Sequence, residues 1–285
     1  MIPDMRMYFS GIMKKILVLM LMLSALVAGA QENALYRITY NCDARYGPQR
    51  QVYRWHLDIG TENAVFYNPS NRGREQVVNE VVSMNDVTAV MGRLNSLKAQ
   101  FPNPNPMEVL VGSAPGGKYI YRNEVSGDKL WYEEVRPTLS WEMTGRDSTV
   151  CGYACLQAKT RLYGRDWTVW FAPEIPLSYG PYILGGLPGL ILDAEDADSL
   201  FHFTAVGLEQ HPTDAKVELL STKDAVKCTR SKYLTLREKA NGQSLNERLR
   251  KMGIDDKTVV KVVSADGKDI DMDADRPKNN YLDLE

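Results

Sequence analysis

The sequence predicts an α+β protein built predominantly on an antiparallel β-sheet, and three observations carry that prediction. Residues 51–59 alternate, with Tyr53, Trp55, Leu57 and Ile59 on one face and Val52, Arg54, His56 and Asp58 on the other. That is the period of a half-buried strand. Between 107 and 172, short runs rich in β-branched and aromatic residues recur at spacings of 8–14 residues, divided by glycine-containing breaks. No helical crossover interrupts them, as a parallel sheet would require. Against this background Val77, Val81, Met84, Val87, Met91, Leu94, Leu97 and Phe101 recur every three or four residues, as one face of a helix does.

Taken in order, residues 35–41 read as a first strand, 51–59 as a second closed by Gly60, and 64–67 as its hairpin partner. One long helix, or two meeting near Asn85-Asp86, covers about 75–100 and stops before Pro102, Pro104 and Pro106, which cannot continue it. Strands follow at 107–112, 118–125, 130–136, 138–144, 150–161 and 165–172, broken at Gly116-Gly117, Gly127-Asp128, Gly145 and Gly164-Arg165. The last carries Trp167, Val169 and Phe171 on one face and Thr168, Trp170 and Ala172 on the other. Both faces then need cover, and the 75–100 helix is expected to supply one.

A stiff loop through Pro173, Pro176 and Pro181 leads to Gly185-Gly186-Leu187-Pro188-Gly189-Leu190-Ile191. Its Pro188-Gly189 pair suits a type II turn, since proline presets the first central residue and glycine tolerates positive φ at the second. Residues 187–193 and 200–207 form a hairpin with a polar tip. Its His202 is expected to point away from Phe201 and Phe203. Thr222 is a candidate cap for a C-terminal helical segment over about 223–252, interrupted at Asn241-Gly242. No linker divides these elements, so 31–285 reads as a single domain.

The first thirty residues have a different character. Lys14-Lys15 precede an apolar run from Ile16 to Ala28, and Ala28-Gly29-Ala30 fits a small-x-small cleavage site, the pattern of a secretory signal peptide. Initiation at Met13 gives the cleaner signal, which points to residues 1–12 as a start-site error. Cleavage between Ala30 and Gln31 places the mature chain in the periplasm or outside the cell, with no transmembrane segment. Removing Asp4, Arg6, Lys14 and Lys15 leaves 31 basic and 35 acidic side chains, a net charge of −4. That balance gives no reason to expect a nucleic acid partner.

Cys42, Cys151, Cys155 and Cys228 all fall in the mature chain. An even number in an exported protein admits disulfides. If 151–160 is extended, Cys151 and Cys155 stand about 13 Å apart and cannot bond to each other. Free buried thiols, a disulfide-stabilised structure and a metal or redox site all stay open, although the C-x3-C spacing has no second ligand pair for zinc.

The search for chemistry finds no nucleophile elbow, zincin helix, C-x-x-C, Walker or dinucleotide fingerprint. Glu174 and Asp166 flank the central loop and, with His202, are the acid and base candidates for a hydrolase-type enzyme. No cofactor or metal ligand set is indicated.

The heptapeptide contains Gly186-Leu187-Pro188-Gly189-Leu190-Ile191, the string for which the GLPGLI family of Bacteroidetes-type bacteria is named. The resemblance extends to Gly152-Tyr153-Ala154-Cys155, to Gly164-Arg165 with Trp167, to Trp170-Phe171-Ala172-Pro173-Glu174-Ile175-Pro176, and to Gly180-Pro181-Tyr182. Asn279-Asn280-Tyr281-Leu282-Asp283-Leu284 resembles the family's closing N-P-I-E-L. The resemblance implies an exported envelope protein and carries no catalytic residue. In shape, the order of strands from Gly152 to Val206 resembles the curved half-barrel of LolA-type lipoprotein carriers, whose concave face is covered by helices. The expectation is a non-catalytic protein that holds an apolar ligand or an envelope partner. The GLPGLI stretch is expected to be a structural corner, with Leu187, Leu190 and Leu192 in or near the core.

Overall fold

The computed structural model describes residues 32–47, 49–84, 86–112, 117–220, 222–243, 247, 262–263, 269–270 and 280–284. Residues 1–30, expected to be a signal peptide, and nearly all of 244–252 lie outside the described residues. The α+β class with a predominantly antiparallel sheet is what the chain adopts. Twelve strands form one sheet in the order β12-β6-β5-β4-β3-β2-β1-β11-β10-β9-β8-β7. They are β1 (Tyr36–Ala44), β2 (Gln51–Ile59), β3 (Asn63–Tyr67), β4 (Glu108–Gly112), β5 (Lys118–Val125), β6 (Asp128–Val135), β7 (Glu142–Val150), β8 (Tyr153–Leu162), β9 (Arg165–Ala172), β10 (Leu190–Asp196), β11 (Phe201–Gln210) and β12 (Val226–Lys227). Among the described residues of this sheet only the short β12–β6 pair is parallel. Val262–Val263 and Asp269–Ile270, β13 and β14, form a separate antiparallel pair.

Three hairpins share one local cause. Ser126-Gly127, Cys151-Gly152 and Tyr163-Gly164 each combine a left-handed first residue with a left-handed glycine. Two such residues make the type I′ turn, whose twist matches that of the strands it joins. Gly145 is also left-handed, but it sits inside β7 in an irregularity between Met143 and Asp147. The expected break there is therefore a bulge, and the strand runs on to Val150.

The sheet is rolled. Tyr119 on β5 and Tyr163 in the β8–β9 turn share a hydrogen bond of 2.8 Å between their hydroxyls. In a flat sheet, seven strand spacings would hold β5 and β9 roughly 34 Å apart. The interior is one apolar cluster drawn from both halves, including Trp55, Phe66, Tyr119, Tyr132, Trp167 and Phe203. Tyr182, Ile183, Leu184 and Leu187 enter it from the segment between β9 and β10, each at most 3% exposed.

The 75–100 region takes the two-helix form of the expectation, but it starts earlier and packs differently. Its helices are α1 (Pro69–Val82) and α2 (Val87–Gln100). Asn68 caps the first through a 2.8 Å bond from Asn71 N, with Pro69 in the first turn, and Asp86 caps the second. The pair makes its own small cluster of Val77, Val81 and Leu97 and leaves Met84, Met91 and Leu94 exposed. It does not cover Trp167, Val169 and Phe171, because the rolled interior already buries them. On the opposite face Thr168 and Trp170 stay half-buried. At the C-terminal side the cap is Thr229, not Thr222, and the helix is α3 (Arg230–Asn241). Val226–Lys227, expected to be helical, pairs with β6 instead.

The GLPGLI stretch is a corner, though not the type II turn expected. Gly186 has φ +88, whereas Gly189 is not left-handed. Gly189 is needed for space: a Cβ there would lie 2.3 Å from Ala172 O. Gly185 is equally confined, by Ser178 O at 2.7 Å from such a Cβ. Leu187, Leu190 and Leu192 are buried. Gly189→Val is expected to destabilise by about 3 kcal/mol, since backbone must move to admit it. At this size that lowers the melting temperature by roughly 6–12 °C. Gly92 in α2, where an added methyl group would meet nothing within 4 Å, is the control. Gly92→Ala should gain up to about 1 kcal/mol, and thermal melts of both variants check the pair.

Candidate functional site

The three candidate acid–base residues are not brought together. Asp166 stands near the start of β9, exposed and bonded to Arg161 at 3.0 and 3.1 Å. Glu174 is exposed two residues beyond the end of the same strand, which puts roughly 20 Å of β9 between them. His202 lies on β11, where its Nε2 meets Asp193 Oδ2 at 2.8 Å and Thr204 Oγ1 donates to the same oxygen. As expected, it points away from the buried Phe201 and Phe203.

All four cysteines are free thiols. Cys42 on β1 pairs across with Tyr53 and Phe203, Cys155 with Ser148, Cys151 occupies its turn, and Cys228 Sγ faces Trp131 O at 3.7 Å. Burial is the first cause that raises each thiol above its ordinary pKa, and at Cys151 the negative charge of Asp193 adds to it. A nucleophilic or metal-binding thiol needs the opposite influence. Among the described residues no group of three or more His, Cys, Asp and Glu side chains could hold a metal ion.

The place where polar and aromatic groups do converge was not singled out from the sequence. It is a cleft of about 400 Å³ between α3, the β5–β6 hairpin, the 105–107 loop and the segment Asn280–Asp283. Its floor is Tyr121 and Tyr233, whose hydroxyls are 3.3 Å apart. Asn123 Nδ2 donates to both at 2.9 Å, fixing the two rings. Burial pushes Tyr233 up to about 12, so its hydroxyl stays protonated. One wall is the chain's closing segment. Leu282 is buried, and the carboxylate of Asp283 is clasped by Arg237 and by Arg230 at 3.2 Å. Arg237 also donates to Asp283 O at 3.1 Å and lies 4.0 Å over the Tyr281 ring. Asn280 N and Nδ2 reach Tyr46 O and Arg45 O in the β1–β2 loop. The Asn279–Leu284 motif thus ends in a strap, its described part bound at both ends, that builds the cleft. The sequence signal for it was the motif itself; the partners are more than forty residues away.

On the outer face a second polar group serves the fold. Asp58 accepts from Arg37 at 2.7 and 2.9 Å and from Tyr67 Oη at 2.9 Å, and Arg72 lies 3.5 Å over the Tyr67 ring. His56 stands beside Tyr67 Oη at 3.4 Å. Its pKa falls to about 4, from burial first and then Arg37.

No family model matches the chain, and no curated protein matches it. Among solved structures it is similar to PNGF-II in two crystal forms, with a TM-score of 0.46 and 13% identity in each. The likeness covers 74% of this chain and 34% of that one in the first form, and 72% and 33% in the second. The chain spans about a third of the length of the solved chains it matches.

The histidines give a test of this geometry. His56 should titrate near 4 in an NMR pH series, and His202 above the ordinary imidazole value because Asp193 holds its proton. The signs are opposite. The contribution of His56 to stability is full above the ordinary value and is lost as pH falls toward 4. That of His202 is full below the ordinary value and is lost as pH rises through its raised pKa. Asp193→Asn should return His202 to or below the ordinary value; no change would contradict the pairing. Thiol titration of the denatured, unreduced protein should count four free groups, and two or fewer would contradict the assignment.

Proposed function

We propose that this chain is an exported periplasmic protein of the GLPGLI type, acting by binding, and that it holds an envelope component in the cleft beside α3. Export is supported by the residues before Gln31, and the family by the motifs that carry the resemblance. The observation that carries the site is the filling of the sheet interior. A LolA-like half-barrel carrying an apolar ligand needs an open concave face. Here the curvature is present, but Tyr182, Ile183, Leu184 and Leu187 occupy the space it encloses. A partner or ligand is then met at the surface. The cleft beside α3 joins fixed aromatic rings to polar side chains, and its walls are held by buried ion pairs. The separation of Asp166, Glu174 and His202 weighs against a hydrolase working from those residues.

Intact mass of the exported protein should show a chain beginning at Gln31. Native mass spectrometry after gentle purification should show a bound component with the wild type. Glu124 lines the cleft from β5 and is exposed, so Glu124→Trp should lose that component while keeping the melting temperature. A component retained by Glu124→Trp would place binding elsewhere.

A further inference from the structure

A second recess lies on the outer face of the sheet and shares no described lining residue with the cleft beside α3. It is an open groove of about 670 Å³ where β2 meets the start of α1 and the end of α2. Its walls are fastened to the strand beneath. Asn68 Nδ2, from the cap of α1, donates to Arg54 O at 3.0 Å, and Asn103 Nδ2, beyond α2, donates to Val52 O at 2.9 Å. The groove is shaped before any ligand arrives, so little ordering is left to oppose binding.

Its charge is unbalanced. Among the described residues the lining holds no carboxylate, and the exposed guanidinium of Arg54 has neither an ion-pair partner nor a hydrogen bond. Arg37, Arg72 and Arg122, on the same side of the sheet, are each paired with a carboxylate. The charge of Arg54 is felt within the groove: after burial and Arg37, it is among the influences that lower the pKa of His56. The positive end of α1 and the negative end of α2 both border the groove, so their partial charges offset. Arg54 sets the sign.

Unspent donors stand around it. Asn41 is the cross-strand partner of Arg54 on β1, and its amide makes no hydrogen bond. The side chains of Ser70, in the first turn of α1, and Gln100, at the end of α2, are likewise unpaired. A guanidinium fork holds two oxygens of an oxyanion. A tetrahedral oxyanion has further oxygens for donors arriving from other sides, which a carboxylate lacks. Val52 and Phe101 border the groove with apolar surface for whatever bears the anion.

We infer that the groove between β2 and the paired helices binds a phosphate group, with Arg54 holding two of its oxygens and Asn41, Ser70 and Gln100 placed to donate to the others. Inorganic phosphate and the monoester headgroup of a lipid present the same group, and the apolar border favours the ester. The site stands apart from the cleft, so its failure would leave the binding role proposed above as it is.

The test is a titration of the full exported chain with inorganic phosphate, monomeric dihexanoyl phosphatidic acid and acetate. It is read by calorimetry and by the histidine ring signals in NMR at fixed pH. At least one phosphate compound should saturate with a Kd of about 1 mM or tighter. It should move the signals of His56, which lines the groove, and leave those of His202, which does not. Arg54→Gln should weaken binding about fivefold to tenfold, and Arg54→Lys, which keeps the charge and loses the fork, by less. Both variants should melt as the wild type does, because the side chain is exposed. Tighter binding of the lipid assigns the headgroup; otherwise the ligand is the free ion, and in either case the site stands. No saturation by either phosphate compound, saturation that Arg54→Gln leaves unchanged, or acetate binding as tightly as phosphate overturns the assignment.

Discussion

A segment without regular secondary structure dips into the rolled sheet, with residues 180–185 buried throughout, and the need to satisfy its backbone organises much of the rest. Loops normally run on the surface because a buried one carries polar groups that water cannot reach. Between Ile175 and Ile191 those groups are met within the protein. Gly186 N donates to Ser178 O, Leu184 N to Pro181 O, Ile191 N to Tyr179 O and Leu190 N to Ile175 O. Side chains from distant strands complete the set. Trp141 Nε1 reaches Gly185 O at 3.1 Å, Tyr40 Oη reaches Ile191 O at 2.6 Å, and Arg136 lies 3.4 Å from both Ile183 O and Leu184 O. A net bond of this kind contributes only about 1 kcal/mol, but leaving one partner buried and unpaired costs about 1–3 kcal/mol. The glycines follow from the same crowding. Gly185 and Gly189 give room for backbone to pass backbone, and Gly186, like Tyr182 before it, turns it through positive φ.

This explains what could be read from the sequence and what could not. Strands were legible because alternation is a local property. The reading of 51–59 coincides with β2 at both ends, and 165–172 with β9. Turns were legible where glycine follows a polar or small residue and less so at Cys151-Gly152, where the first residue is not a usual turn former. Composition does not distinguish a glycine needed for φ from one needed for space, so Pro188-Gly189 resembled a type II turn and is not one. The start of α1 was legible but missed: Asn68 followed by Pro69 is a cap and a first-turn proline. The apolar period that drew the eye begins only at Val77.

The candidate site was the least legible part, for a physical reason. Its ion pairs join residues that sequence does not associate. Asp283 meets Arg230 and Arg237, and Arg165 meets Asp196 at 2.7 Å while its Nε donates to Tyr281 O at 2.8 Å. No periodicity marks a buried carboxylate before the fold brings its partner, whereas burying it without that partner is strongly unfavourable. The acid and base candidates were chosen for nearness to the GLPGLI stretch along the chain. The sheet separates them because six of the eight residues of β9 lie between Asp166 and Glu174.

The same ion pairs tie the cleft to the integrity of the fold. The strap is held by Asp283 at α3, by Asn280 at the β1–β2 loop and by Leu284 N at Tyr163 O in the β8–β9 turn. Tyr163 is also the residue through which the two halves of the rolled sheet meet. Whatever the cleft receives therefore rests on a wall anchored to the sheet's closure, and on two rings fixed by one asparagine. That arrangement suits recognition by a preformed surface more than by a closing lid. It also places the GLPGLI stretch and the closing motif in complementary parts: the first fills the sheet interior, and the second walls the recess beside α3.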